Sequence, residues 1–408
     1  MSGIPTTRLL ALCTFIGGLG GGLVFPILPA LGLQLGIPGF MIGLILSANR
    51  ISRLAFNIPA GRAIGRLGPR VTLSGALLLE TLGVLCYSAA LHFGNAALWL
   101  MAGRGIFGIG TAFLFVGAQT VVLGLSERAD RGRKISMVRV AMSAAMPCGL
   151  ILGGILADLF SNDAAFLAGA AITLTGSLLA ALSLPRRLPR PPSTDRTERT
   201  GIAALLASPN LPVLAAAWGF NMMIFLIMQG ALLSTMVLLV QDRGFHLFGM
   251  QAQGTSGLIM AVLIGCSALV AFGIGRAIDA VALRSTLLIP ALIGLAAGFA
   301  VLAGAQTLEM ALVGAVLVGL SYNGVTLPMM ALLGDAVSPR QYGSAVGVHQ
   351  VFADIGGTMG PVIGIEAGTH LGVGPLYLSI CIVPALAIMV ALWLRRREAR
   401  LRPPARAQ

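Results

Sequence analysis

Asn49, Arg53 and Asn57 recur every four positions, and so do Gln350, Asp354 and Thr358. On a helix this spacing puts each trio on one face. Both trios interrupt apolar stretches long enough to cross a bilayer. A charge at the bilayer centre costs roughly 2.5–3.5 kcal/mol on insertion scales, so a charged group kept there points to a solute, an ion or a proton. Asp354 can take up and release a proton, because burial favours the neutral acid and a nearby arginine favours the carboxylate. Its alternative is a permanently ionised partner of an arginine. Arg53 is either a cavity wall that meets a solute or a structural mate for an acid or for helix-end carbonyls. Arg50 borders the same face and reads as structural.

Other side chains suit a binding cleft. Trp218, Asn221, Phe225 and Gln229 share one apolar stretch, and Tyr322, Asn323 and Thr326 share another. Aromatic and amide groups in an apolar cleft suit an amphipathic organic molecule, and each also serves as packing. Met222, Met223, Met228, Met236 and Met260 offer a pliable surface or core filling. Glu80 stands mid-span and needs a partner or a proton, whereas Glu366 is near enough to a span end to reach water. Arg139, near an inner span end, reads as snorkelling to the interface.

Several chemistries are excluded or weak. His246 and Met250 form a His-x-x-x-Met pair whose donors suit copper, at a spacing that is common by chance. The other histidines, His92, His349 and His370, share no ligand spacing. Cys13, Cys86, Cys148, Cys266 and Cys381 are widely spaced in apolar stretches, without a disulfide framework or zinc pattern. A Walker A loop needs a lysine preceded by glycine; here Lys134 follows Arg133, which removes an ATP-driven pump. The glycines at 17, 18, 20, 21 and 22 lie inside a span with no preceding strand, so they read as close helix packing. No cofactor or metal is expected.

The elements that position these residues are membrane helices. Hydrophobic residues make up 57% of the 408 and charged residues 10%, against about 25% charged in a soluble domain. Mean hydropathy is +0.92. Apolar runs of roughly 20 residues match a hydrocarbon core about 30 Å thick. Twelve are expected: 9–31, 40–61, 71–93, 96–124, 135–158, 164–184, 210–240, 254–275, 286–304, 308–334, 343–368 and 374–394. The first reads as a retained helix, not a signal peptide.

Net charge is +13. With the N-terminus inside, Lys and Arg crowd the inner segments; Arg243 alone falls outside, and Arg50, Arg53, Arg104 and Arg139 fall within spans. The positive-inside rule then sets both termini in the cytoplasm of a multi-pass protein of the cell (inner) membrane. Basic residues spread over so many loops do not form a nucleic-acid module, so no nucleic acid is expected as a partner. They face anionic lipid headgroups instead. The Pro- and Arg-rich stretch 186–209 is a cytoplasmic linker between residues 1–185 and 210–394, each a six-helix bundle, and 395–408 is a basic tail. No segment outside the spans is large enough for a catalytic domain, and an enzyme is not expected.

One offset links the two halves. Gly61-Arg62-Ala63-Ile64 recurs 214 residues later as Gly275-Arg276-Ala277-Ile278, and Gly105, Gly110, Pro147 and Gly154 have matches at Gly319, Gly324, Pro361 and Gly368. Parallel repeats of apolar helices are an architecture of secondary transporters, with the solute site at the repeat interface.

The run Gly61-Arg62-Ala63-Ile64-Gly65-Arg66-Leu67-Gly68-Pro69-Arg70 resembles the inner-loop motif of the major facilitator superfamily. Arg104-Gly105-Ile106-Phe107-Gly108-Ile109-Gly110 is similar to that family's helix-4 arginine motif, and Pro26-Ile27-Leu28-Pro29 to the end of its first helix. The resemblance implies twelve transmembrane helices in two pseudo-symmetric six-helix bundles. It also implies a cytoplasmic gate at Gly61, Gly65, Arg66, Arg70 and Asp279, and a charge partner for Asp354 in Arg104. Gly65 stands where the motif has an acid and Asp279 keeps that acid in the second copy, so the first-half latch is expected to be weak. Leu327-Pro328-Met329-Met330, Tyr342-Gly343-Ser344, Asp354, Gly356 and Gly360-Pro361 resemble the drug:proton antiporter group that includes vesicular amine transporters. Gly17 stands where those transporters carry a helix-1 aspartate, so amine binding is not implied.

The expected function is secondary active export of a small amphipathic organic solute or drug in exchange for protons by alternating access. The solute cavity is expected at Asn49, Arg53, Asn57, Asn221, Phe225, Gln229, Tyr322, Asn323, Gln350 and Thr358, with Asp354 and Arg104 coupling the proton. Alternatives are proton-coupled uptake of an organic anion, a lysolipid flippase and, more remotely, copper transport. Partners are a small molecule, protons and lipid, and a monomer is expected.

Overall fold

A computed structural model describes residues 6–124, 131–186, 205–281, 283–337 and 342–401. Among them the backbone is helical apart from short turns, and the one β-bridge joins Leu247 and Met250. This follows from the apolar composition, since hydrocarbon cannot satisfy open strand edges.

In chain order the helices are α1 (Thr6–Leu23), α2 (Leu28–Gln34), α3 (Gly39–His92), α4 (Ala96–Gly124), α5 (Arg131–Leu159), α6 (Asn162–Ser183) and α7 (Leu211–Ile224). A π-helical segment (Phe225–Leu232) leads into α8 (Leu233–Arg243), followed by α9 (Ala252–Ala280), α10 (Leu288–Ala303), α11 (Leu308–Ala336), α12 (Tyr342–Leu371), α13 (Val373–Ile380) and α14 (Ile382–Leu401). Among the described residues, ten helices are long and apolar enough to cross a membrane. The two remaining expected spans, 40–61 and 343–368, are helical parts of α3 and α12. These are the stretches that carry the two polar trios. Leucines such as Leu78, Leu82, Leu178, Leu182, Leu378 and Leu386 are exposed along the helices, as a lipid-facing surface requires.

Several boundaries differ from expectation for identifiable reasons. The first span breaks between Leu23 and Leu28, where Pro26 lacks an N–H to donate and Pro29 starts the next helix. The second and third spans are two helices that meet at a kink at Gly68, whose φ of 79° suits glycine, so α3 is kinked there and residues 61–67 are helical instead of a loop. The seventh span widens to π where Leu226 and Gly230 face Gly360 of α12. The last span stays helical to Leu401, so the start of the expected tail is helix.

Packing groups the residues differently from chain order. One compact unit comprises Met1–Thr197, Leu233–Ala261 and Pro361–Glu366; the other comprises Glu198–Leu232, Val262–Gly360 and Ala367–Gln408. Within the first unit, α3 and α4 cross closely at glycine: a Cβ on Gly83 would lie 2.7 Å from the Gly103 carbonyl oxygen, and one on Gly103 2.6 Å from that of Gly83. Helix α9 packs on α5 the same way, with Gly154 against Gln253 and Gly257 against the Leu150 carbonyl. Small residues let backbones approach when lipid removes the hydrophobic drive between helices.

Candidate functional site

In the first unit, Arg104 is 3% exposed on α4. Its Nη2 donates to the Leu46 carbonyl at 3.0 Å, and its guanidinium lies 5.7 Å from the Phe25 ring centroid. The Arg104 Nε finds no hydrogen-bond partner among the described residues, nor does the buried Nε of Arg53. Asn49 turns its backbone to α4, where Gly108 leaves room for it, and Asn57 is half-buried.

Glu80 is fully buried on α3. Its Oε1 lies 3.1 Å from the Thr111 hydroxyl, and its Oε2 has no hydrogen-bond partner. Two glycines make room for this carboxyl: a Cβ on Gly17 would lie 2.5 Å from Oε2, and one on Gly110 2.8 Å from Cγ.

Of the gate candidates, Arg66 is exposed, and the Arg70 Nε donates to the Leu184 carbonyl at 2.7 Å, tying α3 to the end of α6. Gly61, Gly65 and Asp279, together with Gln229 of the expected cavity, lie outside the described residues at the level of side chains.

In the second unit, Asp354 is 2% exposed on α12. Gln350 Nε2 donates to its Oδ1 at 3.4 Å, and the Thr358 hydroxyl donates to its carbonyl at 2.7 Å. The trio read from spacing is therefore a bonded set. Asn221, 6% exposed on α7, donates to the His349 carbonyl at 2.7 Å. Trp218 stacks on Phe352 with ring centroids 5.8 Å apart. Gly356 lies against Met222 and Gly360 against Gly230, so α12 meets α7 and the π-helical segment backbone to backbone on the face opposite Asp354. Half-buried Phe225 opens the π-helical segment. On α11, Asn323 Nδ2 donates to the Ser267 carbonyl of α9 at 2.6 Å and accepts from Thr326, with half-buried Tyr322 alongside.

Two cavities among the described residues are lined by none of these candidates. One, of about 330 Å³ in the first unit, is lined by Gln34, Asp158, Asn162, Gln241, Gln251 and Gln253. There the Gly254 N–H donates to Asp158 Oδ2 at 2.6 Å, so Asp158 caps the start of α9. The other, of about 570 Å³ in the second unit, is lined by Asn210, Arg284, Asp335 and Glu398 among others. Glu398 accepts from the N–H groups of Arg284 and Ser285 at 3.0 and 3.1 Å. The signal missed in both places was an acid placed to cap a helix in another part of the chain. No group of three or more His, Cys, Asp or Glu that could hold a metal stands together among the described residues, and the His246 ring bonds the Met250 carbonyl at 3.3 Å.

The family model described as Major Facilitator Superfamily matches residues 10–265 and 251–408. The chain belongs to the major facilitator superfamily. It is a multi-pass membrane transporter of that family. It is 26% identical over 376 residues to an uncharacterized MFS-type transporter, YhhS, of Escherichia coli (strain K12), covering 89% of this chain and 85% of that protein. It is also 26% identical over 203 residues to Multidrug resistance protein 1 of Bacillus subtilis (strain 168), a match that spans about half of each chain, 50% and 51%. Among solved structures, a bacterial homolog of the human lysosomal transporter Spinster, in an inward-facing and unoccupied conformation, superposes with a TM-score of 0.78 at 15% identity over 98% of both chains. The nucleoside transporter NupG superposes with a TM-score of 0.76 at 16% identity, over 95% of this chain and 99% of that one. At such identities these likenesses show the fold.

Proposed function

We propose that this superfamily member exports a small amphipathic organic solute in exchange for protons by alternating access. The observation that carries the reading is Asp354, a nearly inaccessible acid in an apolar helix, with Gln350 donating to its Oδ1. Moving one charge through the full membrane potential is worth about 2.3 kcal/mol per 100 mV, so proton exchange can drive uphill export. The relative named as a multidrug resistance protein supports an organic solute. In this reading the basic loops, both termini and the 186–209 linker are cytoplasmic. The halves 1–185 and 210–394 supply the two walls of the solute path.

The test uses protein reconstituted in liposomes and a solute drawn from a thermal-shift screen of drugs, organic acids, siderophores and lysolipids. Asp354→Asn keeps the shape and loses the exchangeable proton. It should abolish transport driven by a pH gradient and leave downhill exchange measurable. Gradient-driven transport at the wild-type rate in this variant removes the reading.

A second reading has its own observation. Arg53 and Arg104 each keep a buried guanidinium nitrogen without a partner, which favours an organic anion taken up with protons. Solute addition would then carry protons in the same direction as the solute instead of the opposite one.

A further inference from the structure

The hydrogen count around Thr111 decides the state of Glu80. The Thr111 oxygen lies 2.9 Å from the Phe107 carbonyl and 3.1 Å from Glu80 Oε1. A threonine hydroxyl carries one hydrogen and can also accept. The Phe107 carbonyl brings no hydrogen of its own, so the hydroxyl proton satisfies that shorter contact. The contact to Glu80 is then complete only if Glu80 brings the second hydrogen. Glu80 Oε1–H donates to the Thr111 oxygen, and Oε2 is left as the carbonyl oxygen of a neutral acid. That matches its lack of any partner, which a buried carboxylate tolerates poorly.

Among the described residues, Thr111 is the one side chain hydrogen-bonded to the carboxyl. Helix α1 meets the carboxyl with Gly17, which has no side chain, and the nearest titratable group on that helix is Cys13, one turn away. On α4 the contacts are Gly110, Thr111 and Leu114, with Arg104 two turns from Thr111 and bonded to the Leu46 carbonyl. On α3 itself the titratable neighbours are Cys86 and Tyr87, and Tyr87 lies within electrostatic reach of both Glu80 and Arg104. Next to Gly17 on α1, Gly18 and Gly21 are half-buried, so this glycine face is partly open.

We propose that Glu80 is a proton-binding site of the first half, which carries its proton on Oε1 in this conformation and exchanges it with water when the glycine face of α1 moves away. This adds a second proton site to the antiport reading, and its role in transport rests on that reading. On release the proton passes from Oε1 to water, and the Thr111 hydroxyl turns to donate to the carboxylate. Arg104, on the same α3–α4 seam, is the cation that offsets the new charge.

The test is infrared difference spectroscopy of the full-length protein in lipid. The wild type and Asp354→Asn should show a protonated-carboxyl stretch that Glu80→Gln lacks. Transfer to deuterium oxide should shift that band. In everted vesicles with an imposed pH gradient and ethidium as the probe, Glu80→Gln should lose gradient-driven accumulation. Absence of the band, a band that never shifts in deuterium oxide, or ethidium accumulation at the wild-type level in Glu80→Gln each overturns the proposal. Wild-type behaviour confined to Asp354→Asn removes the assignment of Asp354 and leaves Glu80 standing. If Glu80→Gln does not accumulate in the membrane, Thr111→Val takes its place. It deletes the acceptor of the acid O–H and should displace the same band, and an unmoved band overturns the proposal.

Discussion

Replacing Gly154 with alanine should force α5 and α9 apart at the end of the first unit that carries Gln34, Asn162 and Gln251. A Cβ at residue 154 would lie 2.9 Å from both the Gln253 carbonyl carbon and the Gly254 Cα. Carbon atoms prefer separations of about 3.5–4.0 Å, so the seam must widen by roughly 0.6 Å or more. Both contacts are backbone, so no flexible side chain can absorb the change. The Asp158–Gly254 bond, 2.6 Å in the structure, lies on the same seam. The same widening takes it to about 3.2 Å or beyond, the edge of hydrogen-bond range. Overpacking costs about 1–3 kcal/mol and loss of a bond to a charged group about 1.5–3 kcal/mol. These terms share one displacement and do not add, so about 2–3 kcal/mol is expected. At about 1.4 kcal/mol per tenfold, the population with the seam open rises roughly 30- to 150-fold. Spin labels at positions 160 and 248, where Phe160 and Phe248 are 72% and 88% exposed, report it by pulsed dipolar spectroscopy in nanodiscs. Gly219→Ala is the control, because nothing lies within 4 Å of its Cβ. An unchanged distance distribution in Gly154→Ala would refute the view that backbone contact at Gly154 sets the separation of α5 and α9.

Three further outcomes are open to measurement. Single cysteines at positions 195 and 403, in a background without the native five, should resist an impermeant thiol reagent in intact cells; ready labelling of either reverses the orientation. Glu398→Ala removes the cap on the Arg284–Leu287 turn, bonded through Arg284 N, Ser285 N and the Ser285 hydroxyl at 2.6 Å. It should cost about 1–2 kcal/mol in the second unit, seen as a lower unfolding midpoint, with Glu398→Gln intermediate. Arg104→Lys keeps the charge but loses the planar group that spans the Leu46 carbonyl and the Phe25 ring, so thermal stability should fall although formal charge does not. An unchanged midpoint would mean that a lysine replaces both contacts.

The spans were legible because hydrocarbon leaves the chain few choices. Any run of about 20 apolar residues must bond its own backbone, and helix is the form that does so. The polar trios were legible for the same reason, since residues that stand out against an apolar background carry their periodicity plainly. Gln350 and Thr358 bond to Asp354 along one helix, so their spacing alone could bring these three together. Asn221 and Asn323 were legible as buried amides, but their partners are the carbonyls of His349 and Ser267 on other helices. Every residue has a carbonyl, so composition could not single these out. The same holds for Leu46 under Arg104. The π-helical segment and the helical course of 61–67 follow from backbone contacts and from a single positive φ at Gly68, features decided by tertiary packing.

The two helical stretches that fall below the hydropathy of a spanning helix are the ones that bear the polar trios. A helix pays in membrane insertion for each polar side chain, so such a face persists where neighbouring backbones shelter it. Around Asp354 the neighbours are Gln350 and Thr358 on its own helix face, while Gly356 and Gly360 carry the contact with α7 and the π-helical segment on the opposite face. Around Glu80 the shelter is Gly17 and Gly110. At Glu80 glycine replaces a side chain next to a buried acid, so the acid meets a backbone that can slide past it without unlocking interdigitated side chains. An acid packed instead among leucines would be held as firmly by its neighbours as by its hydrogen bonds. Glycine at Glu80 therefore gives the proposed proton site of the first half a route to helix movement, which is what coupling a proton to alternating access requires.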